Sequence, residues 1–538
     1  INSLYPNTIR SLNISPEKIV GQFEAKEAAW NAIKDETEQR LCFTYESGEQ
    51  DVKTAKEWWD VLFSKKWALS AYGTVFDQSG ERGVVADILG FWYSERKRLQ
   101  AEKKKYGKLA KEEKDHVKKA EYQKQEEQYD LLQLTKKISM NSLYGALLNV
   151  AFRFGDERMG ASVTATGRAI TTNMIAGIGT FLTGRLHTLE KRFDPENRER
   201  GRAHQSHHER SAAQFREADE WLSLPTVNRS NSKGEYGSAI YRAFEQHPDG
   251  RRSFSSVIIY GDTDSCYYKC PSASNKKEAV EIADLAADTI NVSFPAFMRE
   301  AFNCQDGFDN LIKAGREVVG IRGLFQAKKK YMIKIVDLEG QAVDKLKSMG
   351  SEIKKADTPK IIQKFLKATV DMILDGKLYD DIATFVNEQR REILKKKLNV
   401  FLLGVAKQVN NLDKYAAEYN SPGSMRSEKG GKLTIPGHAR AACNYNHLLD
   451  IYEKGAKTIR SGDKVLIFYL KPNEYKFDSI AFPAEYSKFP AWFTENFQVD
   501  IKKTEDRMFD SKLSGIFEAL GKDVPSPQSV HLNKLLEY

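Results

Sequence analysis

Long apolar runs are missing from this chain. No stretch approaches the ~18–20 consecutive apolar residues that a membrane span needs. The opening residues also lack the basic-then-apolar pattern of a secretory leader. Cysteine is scarce, five in 538 residues, and none sits in a C-x-x-C pair. A disulfide framework and a cysteine-based structural zinc site are therefore not expected. A starting methionine is absent too. The chain begins Ile1-Asn2-Ser3-Leu4-Tyr5-Pro6, a strand-like run that reads as a cut through a domain. These absences point to a soluble, multidomain protein of a reducing, intracellular compartment.

What is present bounds the size and the partners. A length of 538 residues and 61.2 kDa suffices for three or four domains. Hydrophobic residues at 41% supply material for buried cores, and aromatics at 11% argue against disorder. Lys+Arg 83 against Asp+Glu 74 leaves a net charge of +9, which permits a polyanionic partner without requiring one.

Along the chain, residues 1–20 read as a strand, a turn at Pro6 and a short helix opening at Ser15-Pro16, where Ser15 suits an N-cap and Pro16 the first helical position. Residues 72–76 and 83–85 flank Asp77-Gln78-Ser79-Gly80, a hairpin signal. A long helix is expected over 85–130 and a second from about Tyr129 past Tyr144, with more helix to about Lys191. The segment 95–137 lacks proline and holds 14 Lys/Arg against 9 Asp/Glu, over half of the net charge. Taken alone it reads as a solvated helical hairpin with mixed-charge faces. Residues 194–253 are polar and read as a surface insertion. Its His204, His207 and His208 have no Cys or carboxylate arranged with them and fit a solvated loop better than a metal site. Strands are expected at 257–260 and 266–268, a helix over 276–303, a strand pair within 325–337, mainly helix after 355, and a small β element at 464–470 and 480–483.

Two segments carry chemistry. Tyr260-Gly261-Asp262-Thr263-Asp264-Ser265 puts two carboxylates two residues apart on a tight turn between strand-like runs. Residues two apart on a strand share a face. Adjacent carboxylates repel, and a divalent cation relieves the repulsion; an ordinary Asp-rich turn has the same composition. In 137–145, Lys137, Asn141 and Tyr144 recur at i, i+4 and i+7, one face of a helix. A cation, an amide and an aromatic ring on one stripe suit a nucleotide; an amphipathic helix with ordinary polar residues fits the spacing as well.

Together these segments resemble the B-family DNA polymerases. Residues 260–265 match their Y-G-D-T-D-S motif, and 137–145 match K-x-x-x-N-S-x-Y-G. Ser3-Leu4-Tyr5-Pro6 matches the tail of the first motif, D-x-x-S-L-Y-P-S, and the order along the chain is the family's. Residues 13–17, 141–154, 328–331, 345–350 with 357–359, and 438–446 further resemble the replicative polymerases of T-even bacteriophages.

The resemblance implies an α+β right-hand fold. Residues 1–82 would form the first part of the palm, 83–149 the helical fingers, 150–352 the second part of the palm with the 194–253 insertion, and 353–538 the thumb and tail. It implies template-directed addition of dNMP to a primer 3′-hydroxyl by two-metal phosphoryl transfer. The cofactor would be two Mg²⁺ ions, replaceable by Mn²⁺. Asp264 would ligate the metals, Asp262 would support the site, and the main-chain carbonyl of Ile1 would be a further ligand. Glu317 matches a carboxylate near that site. The amides of Ser3 and Leu4 would hold triphosphate oxygens, a backbone anion site, and Tyr5 would lie under the sugar and exclude a 2′-hydroxyl. Arg96, Lys137 and Asn141 would face the triphosphate and Tyr144 the nascent base pair, with Gly145 close to the DNA. A lysine expected four residues after Arg96 is Gln100 here, so Lys97 or Lys103 is a candidate substitute. Lys328, Lys329, Lys330 and Tyr331 would touch the primer–template duplex.

The family's first motif also has an Asp three residues before the Ser, a position just ahead of Ile1. The resemblance implies that both carboxylates would be needed to hold the metals, so the chain by itself is expected to be nearly inactive without a partner segment or chain supplying the N-terminal polymerase and exonuclease portion. Other implied partners are primer–template DNA, dNTPs and a sliding clamp docking on the tail 530–538. The implied setting is the cytoplasm of a bacterial host. A non-catalytic DNA-binding subunit derived from a polymerase is the competing reading.

Overall fold

A computed structural model describes residues 1–149, 151–182, 257–270, 273, 275–395, 397–416 and 435–526. The 194–253 insertion with its three histidines and the 530–538 tail lie outside them. The described chain mixes helices with antiparallel sheets, as expected for an α+β protein, and it divides into two compact units, Ile1–Arg316 and Glu317–Tyr538. Among the described residues, no helix is long and apolar enough to cross a membrane.

The first unit opens differently from expectation. Residues 4–12 are a helix, α1 (Leu4–Leu12), rather than a strand and turn. Pro6 falls in the first helical turn, where a missing N–H costs nothing, and Leu4, Ile9 and Leu12 bury together. Ser15-Pro16 starts only a single 3₁₀ turn, Pro16–Lys18. A five-stranded antiparallel sheet follows, built from β1 (Ile19–Phe23), β2 (Arg40–Tyr45), β3 (Gln50–Thr54), β4 (Trp67–Leu69) and β5 (Thr74–Asp77) in the order β3-β2-β1-β5-β4. Phe23, Phe43 and Trp58 pack at its core.

The hairpin expected at 72–85 is displaced. β5 pairs backwards with β4, and the turn holds Gly73 at φ 78°, where an added Cβ would lie 2.6 Å from the Lys26 carbonyl oxygen. Residues 84–112 instead form a helix, α4 (Val84–Glu112). Its start is capped from far away in sequence. The amides of Gly83, Val84 and Val85 donate to Asn13 Oδ1, Glu17 Oε1 and Ser15 Oγ at 2.8, 2.7 and 3.2 Å. These bonds satisfy donors that a helix N-terminus otherwise leaves unpaired.

The break between the two long helices comes near 113–115, not near 130. α5 runs His116–Leu147, and Asp115 caps it by accepting from Val117 N at 2.8 Å. No Gly or Pro marks this break, only the cap. The helices form a hairpin held by Tyr106, which stacks on Tyr129 with centroids 5.4 Å apart. α6 (Glu157–Leu182), the hairpin of β6 (Ile258–Asp262) and β7 (Ser265–Tyr268), and α7 (Lys276–Phe302) complete the unit. The last three match the expected strands and helix.

The second unit carries a three-stranded meander, β8 (Val318–Ala327), β9 (Lys330–Leu338) and β10 (Gln341–Met349). It also contains α8 (Lys360–Leu374), α9 (Tyr379–Lys395) and α10 (Ser511–Glu518), whose apolar faces share one core with the meander through Leu324, Met332, Phe365, Val386 and Phe517. A second three-stranded sheet includes the expected strands at 464–469 and 479–483 and has an aromatic core of its own.

Two stability predictions follow from these packings. Tyr106→Ala should speed amide exchange along α4 and α5 by about fivefold, from loss of a half-buried aromatic contact worth about 1 kcal/mol, and leave the second unit unchanged; hydrogen-exchange mass spectrometry reads both. In the second unit, burial alone would raise the Glu352 carboxyl. Hydrogen bonds and charge from Lys355 and Lys512 outweigh it and bring the group down from 4.5 to about 2. A depressed carboxyl stabilises above its unfolded value and loses that contribution as pH falls through the folded one. Glu352→Gln should therefore flatten the fall in stability between about pH 4.5 and about pH 2, measured by denaturant titrations.

Candidate active site

The carboxylate pair sits at the tip of the β6–β7 hairpin. Asp262 ends β6 opposite Ser265, and Thr263 and Asp264 form the turn. Thr263 lies at φ 51°, an uncommon conformation for a β-branched residue. Three bonds hold it. Asp264 N donates to Asp262 O at 2.6 Å, Ser265 Oγ donates to Asp262 O at 3.1 Å, and Thr171 Oγ1 of α6 donates to Thr263 O at 2.7 Å. Because Asp264 is in the turn, strand alternation does not orient the pair; the turn does. Gly261 packs closely on α6, since a Cβ there would lie 2.8 Å from Ile175 Cδ1.

The first residues of the chain meet this turn. Ile1 main-chain N donates to the carbonyl oxygen of Asp264, and Asn2 N donates to Lys313 O at 2.8 Å. Ser3 then takes the left-handed conformation, φ 51°, and starts α1. Arg96 of α4 donates from Nη1 to Ser3 Oγ at 2.9 Å. A guanidinium therefore lies at a helix N-terminus, and both features favour an anion. Leu4 is 2% exposed, and its side chain packs in the core. From Ile1 to Ser3 the chain can span at most about 7 Å, so the carboxylate turn and this cationic end are neighbours.

Tyr5 stands on the same first turn of α1. Its ring lies 4.7 Å from that of Tyr144, tilted by 44°, and a Cβ at Gly167 of α6 would touch it at 3.3 Å. Burial, and then the Tyr5 hydroxyl, push the Tyr144 phenol above its usual range. On α5, Gln133, Lys137, Asn141 and Tyr144 follow one another at helical spacing. Gln133 Oε1 accepts from Arg96 Nε at 3.4 Å at one end, and Tyr144 meets Tyr5 at the other. Lys137 and Asn141 lie between them and are exposed. Gly145 is open, with nothing within 4 Å of an added Cβ.

The structure thus joins Ile1 with Asp264, Ser3 with Arg96, and Tyr5 with Tyr144. Gln100 is half-buried. Of its two candidate substitutes, Lys97 lies over the Tyr93 ring and Lys103 pairs with Asp130 at 2.8 Å. Glu317 and residues 328–331 belong to the second unit. Glu317 pairs there with Lys347 at 2.8 Å. Lys328 and Lys329 are exposed at the β8–β9 turn and Lys330 is half-buried, whereas Tyr331 is buried and stacks on Phe325 at 5.5 Å. Sequence reasoning passed over Gln133 and Thr171. Gln133 is one turn before Lys137 on the stripe and was legible by extending it. Thr171 carries no such signal.

The donor chemistry fits a hard divalent cation. Asp262 and Asp264 supply two carboxylates beside a backbone carbonyl, and Mg²⁺ characteristically takes one or two carboxylates and completes its shell with phosphate oxygens and water. Among the described residues there is no cluster of three or more His, Cys, Asp or Glu that could hold a metal by itself.

The profile of DNA polymerase family B matches residues 1–425. A curated relative from Enterobacteria phage T4, described as a DNA-directed DNA polymerase, is 22% identical over 559 aligned residues, covering 98% of this chain and 54% of the relative. One of the same description from Escherichia phage RB69 is 23% identical over 528 residues, covering 90% of this chain and 49% of the relative. The chain spans about half the length of the curated relatives it matches.

Thr171→Val keeps the side-chain shape and removes the bond to Thr263 O, a change worth about 1 kcal/mol. It should speed exchange of the Asp264 amide by about fivefold without altering the global melting temperature, as read by hydrogen exchange and calorimetry.

Proposed function

The chain belongs to DNA polymerase family B, and on that premise we propose that it is the catalytic portion of a DNA-directed DNA polymerase, adding dNMP to a primer 3′-hydroxyl under the direction of a template. The observation that carries this reading is the short link from Ile1 to Ser3. It holds the Asp262–Asp264 turn close to the Ser3–Arg96 pair, so carboxylates that would bind metal and a helix end that would bind an anion would border one space.

Residues 1–82 and 150–352 would form the palm, 83–149 the fingers and 353–538 the thumb and tail. Asp264, Asp262 and the Ile1 carbonyl would hold two Mg²⁺ ions. When bound, these would supply activation of the primer hydroxyl and stabilisation of the leaving pyrophosphate. The amides of Ser3 and Leu4, the Arg96 guanidinium, Lys137 and Asn141 would bind the triphosphate by charge-assisted hydrogen bonds. Tyr5, backed by α6 at Gly167, cannot retreat easily, so its ring would lie under the sugar and leave no room for a 2′-hydroxyl. Tyr144 packs on Tyr5 and would thereby couple the nascent base pair to the sugar. Lys328, Lys329 and Lys330 would neutralise duplex phosphates. The partners would be primer–template DNA and dNTPs, with a sliding clamp on the tail.

Primer extension tests this, with the protein expressed together with any coding sequence that runs in frame into Ile1. Mg²⁺-dependent extension of a labelled primer is expected. DNA binding without extension would instead support a non-catalytic subunit. Asp264→Asn should lower the rate by at least about 10²–10³-fold, the scale of removing a group that stabilises transition-state charge. Arg96→Ala should raise the KM for dNTP about 10–100-fold, from loss of a charge-assisted hydrogen bond of about 1.5–3 kcal/mol. Tyr5→Ala should keep dNTP addition and admit rNTPs, seen by comparing the two substrates on one template.

A further inference from the structure

Arg96 is held from two sides, by Ser3 Oγ through Nη1 and by Gln133 Oε1 through Nε. A glutamine amide has one end that accepts and one that donates. The donating end of Gln133, Nε2, meets Asp130 Oδ1 at 2.8 Å. Asp130 in turn receives Lys103 Nζ at 2.8 Å. The hydrogen bond from Lys103, joined by that from Gln133, holds the Asp130 carboxyl below its usual range against the effect of burial. Asp130 is therefore a carboxylate at neutral pH and can only accept. It obliges the Gln133 NH₂ to face it, which leaves the Gln133 carbonyl to face Arg96. The polarity of the whole chain Lys103–Asp130–Gln133–Arg96 across the α4–α5 hairpin is thus set at its far end.

We propose that Asp130 and Gln133 are positioning residues that orient the Arg96 guanidinium for the triphosphate of an incoming nucleotide. The inference rests on the role proposed above for Arg96. It also gives Lys103 a different task from replacing the lysine that is Gln100 here: Lys103 acts through Asp130 rather than on a phosphate. With one cation fewer on this helix, the orientation of Arg96 matters more.

The test is steady-state primer extension with single and paired variants. Asp130→Asn frees the Gln133 amide to turn, and Gln133→Leu removes it. Each is expected to raise the KM for dNTP about three- to tenfold, with kcat and primer–template affinity within about twofold of wild type. Asp130→Asn combined with Gln133→Glu restores a donor facing an acceptor and should return the KM to within about twofold. Unchanged KM in both single variants, or a paired variant no better than Asp130→Asn alone, overturns the proposal. So does a fall in kcat that tracks a lower melting temperature, since that marks a merely structural contact. If the wild-type protein extends no primer, the polymerase reading fails, and positioning is judged by exchange of the Arg96 Nε–H in labelled protein. Faster exchange in Asp130→Asn and Gln133→Leu supports it, and unchanged exchange overturns it.

Discussion

The main-chain bond between Ile1 and the carbonyl of Asp264 organises the first unit. It ties the start of the chain to a turn some 260 residues away, and Asn2 adds a second tie to Lys313 O. With residues 1 and 2 pinned, Ser3 turns through the left-handed region and α1 starts. The helix start then faces Arg96, and Tyr5 on its first turn faces Tyr144. Each later contact of the site depends on that short, fixed stretch, because two residues of chain leave almost no slack.

The same economy governs the helices around the site. α6 acts as a backplate: Thr171 holds the carboxylate turn, Ile175 closes on Gly261, and Gly167 lets Tyr5 approach the helix closely. α4 and α5 reach further, and most of their charge is solvated. Their contacts with the site are made where Arg96 meets Ser3 and where the stripe from Gln133 to Tyr144 begins and ends. The net positive charge of 95–137 is therefore a poor guide to substrate contact, since lysines towards the tip pair with neighbouring carboxylates, as Lys108 does with Glu112.

On the function proposed for this member of DNA polymerase family B, the site would serve a phosphoryl transfer that needs little covalent chemistry from the protein. Positioning and charge stabilisation are the protein's share of such a reaction. On the proposed reading, the first unit would supply them with a strained turn that carries the carboxylates, a helix end beside Arg96 and the tilted pair of rings Tyr5 and Tyr144.

Much of this was legible in the residues themselves. The strands at 258–268, the helix at 276–302 and the long charged helices follow from local patterns of apolar spacing and caps, and Asp262, Asp264, Lys137, Asn141 and Tyr144 stand out by type and spacing, whereas Tyr5 is picked out only by the family resemblance. What misled was also local. Pro6 looked like a turn but sits in the first turn of a helix, and 72–85 looked like a hairpin although its second arm starts α4. In both places the outcome depends on partners distant in sequence: α1 is chosen by its burial and by the Asp264 turn, and α4 is capped by Asn13, Ser15 and Glu17. The sequence by itself determined which chemical groups are present and which faces they occupy. Tertiary structure decided which groups meet, because hydrogen bonds such as Ile1 to Asp264 and Arg96 to Ser3 join segments whose separation along the chain leaves no local trace.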